Sequence, residues 1–170
     1  MNSTQSEKLD STATLKEAKE FLRKHYQKDG ATCPCCLQRV KEYGRPLTGA
    51  MCYVLILVYK AFPAPTWLHV ENYLKTTASG GKKNLRGDFH KLVHWKLLQK
   101  REGDHENGSP RNGYYRITPM GEAFVKGLSQ VPSKVYIYNG KVQRFSKDLI
   151  TIQDALGKHF DYNEIMQPTV

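Results

Sequence analysis

Apolar residues recur along this chain with the spacing of amphipathic helices. From residue 14 to about Lys28 they fall every three or four positions, which predicts an α-helix with one buried stripe. Its start, Thr14 followed by Glu17, has the form of a capping box, and Gly30 is placed to stop the chain from continuing as helix. The unbroken apolar run 51–58 predicts a second helix, begun by Thr48 and buried on all sides.

The rest of the sequence predicts further helices and two β-hairpins. Helical spacing recurs at about 68–77 and 84–98, and residues 99–118 predict a β-hairpin with a long polar tip. Pro119 suits the first turn of a following helix. A second hairpin is predicted over 134–145, because Asn139-Gly140 tolerates the positive φ angles of a type I′ turn. A short helix capped by Thr151 is predicted after it.

The distribution of charge adds a functional indication, because the basic residues are concentrated in one stretch of the chain. The 170 residues carry 26 Lys and Arg against 16 Asp and Glu, a formal net charge of +10. Residues 82–101 hold a single acid, Asp88, and seven of the basic side chains: Lys82, Lys83, Arg86, Lys91, Lys96, Lys100 and Arg101. A concentrated basic stretch favours a polyanion partner, chiefly nucleic acid. The alternative is a surface helix whose basic face is simply solvated.

The order of elements and two motifs point to a family. The segments 88–101 (DFHKLVHWKLLQKR) and 113–121 (GYYRITPMG) follow each other as helix end, basic strand, aromatic strand and "Thr-x-x-Gly" helix start. Over about 47–127 the chain resembles small bacterial winged-helix transcription regulators. Lys96 departs from that family's pattern, because the family usually has a glycine turn there, and this leaves the end of the third helix open.

The resemblance implies an α+β fold, a winged helix-turn-helix with extensions on both sides. We divide the chain into a flexible tail (1–13), a helix with a cysteine knuckle (14–46), the winged-helix domain (47–127) and a hairpin with a short helix (128–170). In such a module the third helix enters the major groove of duplex DNA, and the wing contacts the backbone or the minor groove.

The expected DNA-binding residues lie on the polar face of that helix and on the wing. On an α-helical wheel Leu85, Phe89 and Leu92 share the inward stripe. The opposite side offers base-reading and phosphate-binding groups, and the wing adds two arginines beside a tyrosine. The predicted contacts are Lys82, Lys83, Arg86, His90, Lys91, His94, Arg111, Tyr114 and Arg116.

We therefore predict a DNA-binding protein with a regulatory or accessory role. The alternative is a winged-helix module that binds a protein as an adaptor or inhibitor, which the acidic residues Glu102, Asp104 and Glu106 near the wing tip favour. A compact basic chain of this kind also resembles small phage or mobile-element proteins. No catalytic motif stands out, so we predict that the protein is not an enzyme. No apolar run reaches membrane-spanning length and no secretory signal is evident, which predicts a cytoplasmic protein without a membrane partner.

Four cysteines leave several interpretations open. Cys33 and Cys36 form a Cys-x-x-Cys pair that resembles a zinc knuckle, the half-site of a zinc ribbon. No second pair follows, so a site within one chain needs Cys35, Cys52, His25 or a distant histidine, whereas a homodimer would complete four thiolates from identical halves. The alternatives are reduced thiols without metal, a Cys33–Cys36 disulfide and a thioredoxin-like redox site.

Overall fold

The computed structural model describes residues 9–10, 12–27, 29–61, 66–77, 88–103 and 113–167. These residues form a mixed α+β structure, which confirms the predicted class. The chain forms two compact units: Met1–Gly44 with Tyr136–Gln143, and Arg45–Val135 with Arg144–Val170.

Helices and short strands are interspersed along the described part of the chain. The α-helices are α1 Leu15–His25, α2 Gly49–Ala61, α3 Val70–Thr76, α4 Pro119–Val125, α5 Ile152–Leu156 and α6 Tyr162–Met166. The strands are β1 Ala31–Thr32, β2 Arg39–Val40, β3 Tyr43–Pro46, β4 Leu68–His69, β5 Leu98–Lys100, β6 Tyr114–Ile117, β7 Val131–Pro132, β8 Lys134–Tyr138, β9 Lys141–Phe145 and β10 Leu149–Ile150. Residues Phe89–Trp95 and Gly157–His159 form 3₁₀ helices, and the first of these is called the 3₁₀ segment below.

The first unit is built on α1 and the β1–β2 hairpin. The predicted capping box is confirmed: the Glu17 N–H donates to Thr14 Oγ1 at 3.3 Å, and the Thr14 N–H donates to Glu17 Oε2 at 2.7 Å. The helix ends at His25, so its predicted extension to Lys28 is wrong. Tyr26 is buried and stacks on Tyr138, with ring centroids 4.2 Å apart.

The core of the second unit surrounds α2. This helix buries seven residues: Met51, Cys52, Val54, Leu55, Ile56, Leu57 and Val58. It packs against α4, α5, α6 and the 3₁₀ segment, which explains why its sequence is apolar on every side. The prediction of a central buried helix is therefore confirmed.

One antiparallel sheet of the second unit has the strand order β4-β6-β5. Leu68 pairs with Tyr115 in β6, and Leu98 on the other side pairs with Ile117. The hairpin predicted over 99–118 is thus present, and its tip at 104–112 lies outside the described residues. Strand β4 was not predicted, because its two residues fall within a helical hydrophobic pattern and are extended only through pairing with β6.

Two further predictions from local sequence are confirmed. Asn139 and Gly140, between β8 and β9, have φ angles of 48° and 71°, as a type I′ turn requires. Thr151 caps α5 through a box with Asp154. Strands β3, β8 and β9 form one sheet, and β7 pairs with β10. Helix α6 was not predicted.

Candidate nucleic-acid interface

The 3₁₀ segment carries three of the predicted contacts on a geometry that differs from an α-helix. Its buried residues Phe89, Leu92 and Trp95 recur every third position, which is the period of a 3₁₀ helix. Side chains three residues apart therefore lie one above the other along the helix, in what we call a row. Lys91 and His94 lie in the same row. His90 lies in a different row, because four residues advance a 3₁₀ helix by about 480°. The prediction that residues 89–95 form an α-helix, and the assignment of faces based on it, are therefore wrong.

Charges along the row of Lys91 and His94 interact. Lys91 Nζ donates to Asp88 Oδ1 at 2.5 Å, and this hydrogen bond lowers the pKa of the aspartate. His94 is half-buried, and desolvation lowers its pKa, with smaller contributions from His90 and Lys91. His94 is therefore held toward its neutral form, in which one ring nitrogen donates and the other accepts.

The 3₁₀ segment ends three residues before the predicted limit of 98. Lys96 adopts a left-handed conformation (φ 58°), and its N–H bonds to the carbonyl groups of Leu92 and Val93. The chain then reverses into β5, whose side chains alternate between buried and exposed faces. The predicted end at 98 is wrong because Leu98 is needed for the sheet. Lys96 thus has the conformation that glycine adopts most easily.

The β4-β6-β5 sheet has one face that carries polar, aromatic and basic groups. Residues opposite or two apart share a face of a sheet. Tyr115 and Ile117 are buried, so Tyr114 and Arg116 point to the other face. The pairing register adds four more residues to this outer face, and together they form the wing face: Trp67, His69, Gln99, Arg101, Tyr114 and Arg116.

Both arginines of the wing face lie over aromatic rings. The Arg116 guanidinium lies 4.7 Å from the centroid of Trp67, and its Nε donates to Gln99 Oε1 at 2.8 Å. Arg101 lies 5.6 Å from the ring centroid of Tyr114. These contacts orient the flat guanidinium groups, and an oriented guanidinium is well suited to phosphate or a base edge.

Tyr114 is also held from the side of β4. The His69 ring meets it edge-on, with centroids 5.1 Å apart, and His69 Nδ1 accepts the N–H of Asn72 at the start of α3. Gly113 next to it has a φ of 68°, and a Cβ there would lie 2.6 Å from His69 Nε2. Only a glycine lets the backbone at position 113 pass this close to the His69 ring. The chain can therefore enter β6 beside that histidine.

A groove of about 570 Å³ lies beside β5 and the end of the 3₁₀ segment. Its lining combines apolar, basic and acidic groups: Val93, Lys96, Leu98, Gln99, Lys100, Arg101, Glu102, Gly103 and Thr118. In the described part of the chain, β5 is the last strand in the order of its sheet. The groove thus has two lysines, Lys96 and Lys100, among its lining residues.

The structure places five of the nine predicted contacts. His90 is exposed, Lys91 and His94 share a row, and Tyr114 and Arg116 share the wing face. Lys82, Lys83, Arg86 and Arg111 lie outside the described residues. Sequence reasoning missed Trp67, His69 and Arg101 as site residues. Buried and exposed side chains alternate along β6. Together with the pairing of β6 with its neighbouring strands, this alternation identifies the three residues.

The predicted cysteine knuckle is the loop between β1 and β2. The Cys33 N–H donates to the Gln38 carbonyl at 2.8 Å, and the Leu37 N–H donates to the Cys33 carbonyl at 2.9 Å. The backbone N–H groups of Cys36 and Cys35 donate to the Cys33 thiol and lower its pKa. Cys33 is half-buried, whereas Cys35 and Cys36 are exposed.

The other candidate ligands do not complete a metal site in the described part of the chain. No group of three or more His, Cys, Asp or Glu side chains that could hold a metal is found there. Cys52 is buried in α2, and burial raises the pKa of its thiol to about 12. His25 Nδ1 lies 2.7 Å from the Phe21 carbonyl oxygen.

Comparison with known proteins finds no match: no family model, no curated protein and no solved structure is similar to this chain. Among the helices that the structure describes, none combines the length and the apolar character needed to cross a membrane.

Proposed function

We propose that this chain is a winged-helix protein that binds duplex DNA in a regulatory or accessory role. The order of the second unit supports the winged-helix assignment: α2, β4, α3, the 3₁₀ segment, β5, β6 and α4. The sheet order β4-β6-β5 is consistent with the β5–β6 hairpin serving as the wing that follows the third helical element.

The wing face is the observation that carries the proposal. Two guanidinium groups, Arg101 and Arg116, are each held over an aromatic ring on one surface of the sheet. Arginine in a fixed orientation is the side chain best matched to phosphate oxygens and to guanine edges. Surface arginines used only for solubility have no need of such orientation.

The roles of the residues follow from their chemistry. Lys91, Lys96 and Lys100 act as point charges toward phosphates, which gives affinity without sequence preference. His90 is exposed and can reach base edges, and neutral-leaning His94 offers both a donor and an acceptor to them. Asp88 offsets part of the Lys91 charge, so Lys91 contributes less than the other lysines.

A gel-shift titration with mixed-sequence duplex DNA at several salt concentrations tests the proposal. If about four to six phosphates are neutralised, a plot of log affinity against log salt has a slope of roughly −4 to −5. Absence of binding at ~50 mM salt and micromolar protein would overturn the proposal, since non-specific binding alone reaches that range.

A second candidate function, binding of a protein partner, is favoured by the groove along β5. An extended peptide can lie along the edge strand of a sheet, and the groove beside β5 offers it apolar contacts from Val93 and Leu98. Glu102 beside Lys100 gives the mixed charge that suits a peptide better than a phosphate backbone. Chain-specific capture of a protein together with absent DNA binding would select this function.

A further inference from the structure

The cysteine knuckle has the features of half a metal site. Zinc takes four ligands at tetrahedral positions, and Cys-x-x-Cys in a tight turn supplies two of them. Here the pair sits on a turn closed by two backbone hydrogen bonds, from Cys33 to Gln38 and from Leu37 to Cys33. Thr32 pairs with Arg39 just below the turn, so both cysteines are carried on a defined β-hairpin.

Backbone N–H groups of the turn point toward the Cys33 sulfur. The N–H groups of Cys35 and Cys36 both donate to the Cys33 sulfur. Backbone donors of this kind orient a sulfur ligand, which is the role of the outer shell of a metal site. Reduced thiols with only a packing role do not need two converging backbone donors.

The setting of the pair differs from that of a redox centre. Cysteines in thioredoxin-like sites are activated in a βαβ setting, with support from a helix N-terminus. Residues 33–38 instead form a turn that leads directly into β2, and no helix begins within it. The geometry therefore favours metal binding over disulfide exchange.

Leu37 lies at the tip of the same turn and stays exposed. Its side chain is 77% exposed, and its φ angle is 60°. A left-handed conformation is unfavourable for a leucine, whereas glycine adopts it readily. This exposed apolar side chain, next to two exposed thiols, would leave water if a second copy of the turn packed against it.

We propose that Cys33 and Cys36 bind zinc, and that the same two cysteines of a second copy of this chain complete the site. The described residues of one chain supply no third ligand, whereas a two-fold axis through the metal brings two identical pairs together as four thiolates. The two Leu37 side chains then pack beside the metal. The inference is independent of DNA binding.

Zinc analysis and native mass measurement of the full, untagged chain test the site. We expect one zinc per two chains and a dimeric mass, and we expect a chelator to release the metal and leave monomers. Cobalt in place of zinc gives the intense thiolate-to-metal absorption of four sulfur ligands. One zinc in a monomer would overturn the shared site, and failure to bind added zinc under reducing conditions would overturn the metal.

Three variants separate ligands from bystanders. Cys33→Ser and Cys36→Ser should each abolish both zinc and dimer, whereas Cys35→Ser, the matched control in the same turn, should keep both. Leu37→Ser should keep one zinc per two chains at high protein concentration and raise the dimer dissociation constant about tenfold. Loss of the dimer in Cys35→Ser, or its persistence in Cys36→Ser, would contradict the assignment.

Alkylation of the wild-type chain provides a measurement that needs no variant. In the zinc-loaded protein Cys33 and Cys36 should resist a thiol reagent while exposed Cys35 reacts. A chelator should make all three reactive. Equal reactivity of the three thiols before and after chelation would overturn the proposal.

Discussion

The backbone of Gly121 in α4 lies directly against the carbonyl oxygen of Leu97. A Cβ on Gly121 would overlap that oxygen and would lie 2.9 Å from Ile117 Cγ1. Thr118, three residues earlier, caps the same helix through the Gly121 N–H and also donates its hydroxyl to the Leu97 carbonyl. The "Thr-x-x-Gly" start is thus the joint that fixes α4 to the chain before β5.

Replacing this glycine with alanine should destabilise the protein. In an exposed helix the change would gain about 1 kcal/mol of helix propensity, but here the new methyl group meets backbone that cannot move aside. We expect Gly121→Ala to lower the free energy of unfolding by about 1–3 kcal/mol. Urea denaturation measures it. The control Met120→Ala, on the exposed side of α4, should change stability by less than about 0.5 kcal/mol.

Neutralising the wing arginines should weaken DNA binding and reduce its salt dependence. For Arg101→Gln and for Arg116→Gln we expect the log–log salt slope to fall in magnitude by about 1 each, because each removes one phosphate contact. Lys147→Gln removes an equal charge from an exposed site outside the wing face and should leave the slope nearly unchanged. An equal effect of all three variants would indicate attraction by net charge alone.

Exposed and half-buried histidines of the 3₁₀ segment should contribute to sequence preference. His90→Gln and His94→Gln should reduce the difference in affinity between preferred and random duplexes, by about 1–3 kcal/mol if each reads one base. Selection of binding sequences from a random pool, followed by competition titrations, measures this. Equal losses on every duplex would assign the histidines to phosphate contacts instead.

Protonation of His94 should lower stability in acid. Its pKa in the folded state lies below the ordinary value of about 6.5, so the unfolded chain takes up the proton first. The contribution of neutral His94 to the free energy of unfolding is therefore fully present above pH 6.5. It is lost as the pH falls from there through the pKa of His94 in the folded state. Thermal unfolding from pH 8 to 5 should show a smaller decline for His94→Gln than for the wild type, whereas exposed His159→Gln should follow the wild type.

Lys60 should be needed for the end of the second unit. Its ammonium group donates to the Ile165 carbonyl at 2.7 Å and also to the Gln167 carbonyl, at the close of α6. Lys60→Met removes both charge-assisted bonds, and we expect a loss of about 1–2 kcal/mol. Exposed Lys158→Met serves as the control. Hydrogen exchange at the amides of α6 should accelerate in the first variant only.

Features that depend on neighbours in the chain were predictable from the residues alone. The capping boxes at Thr14 and Thr151 and the turn at Asn139-Gly140 each involve groups within three or four positions, whose geometry follows from local stereochemistry. The buried helix α2 was predictable for a related reason: an apolar surface on every side leaves no stable position except the centre of a core.

Tertiary contacts decided the rest. The helix predicted over 68–77 begins only at Val70. The two residues before it form β4, because pairing with β6 satisfies their backbone groups. The 3₁₀ form of Phe89–Trp95 places Lys91 beside His94, which a single sequence period did not reveal. The wing face required strands far apart in sequence, since Trp67 and Arg116 meet only when β4 and β6 pair in one register, and no local propensity encodes that register.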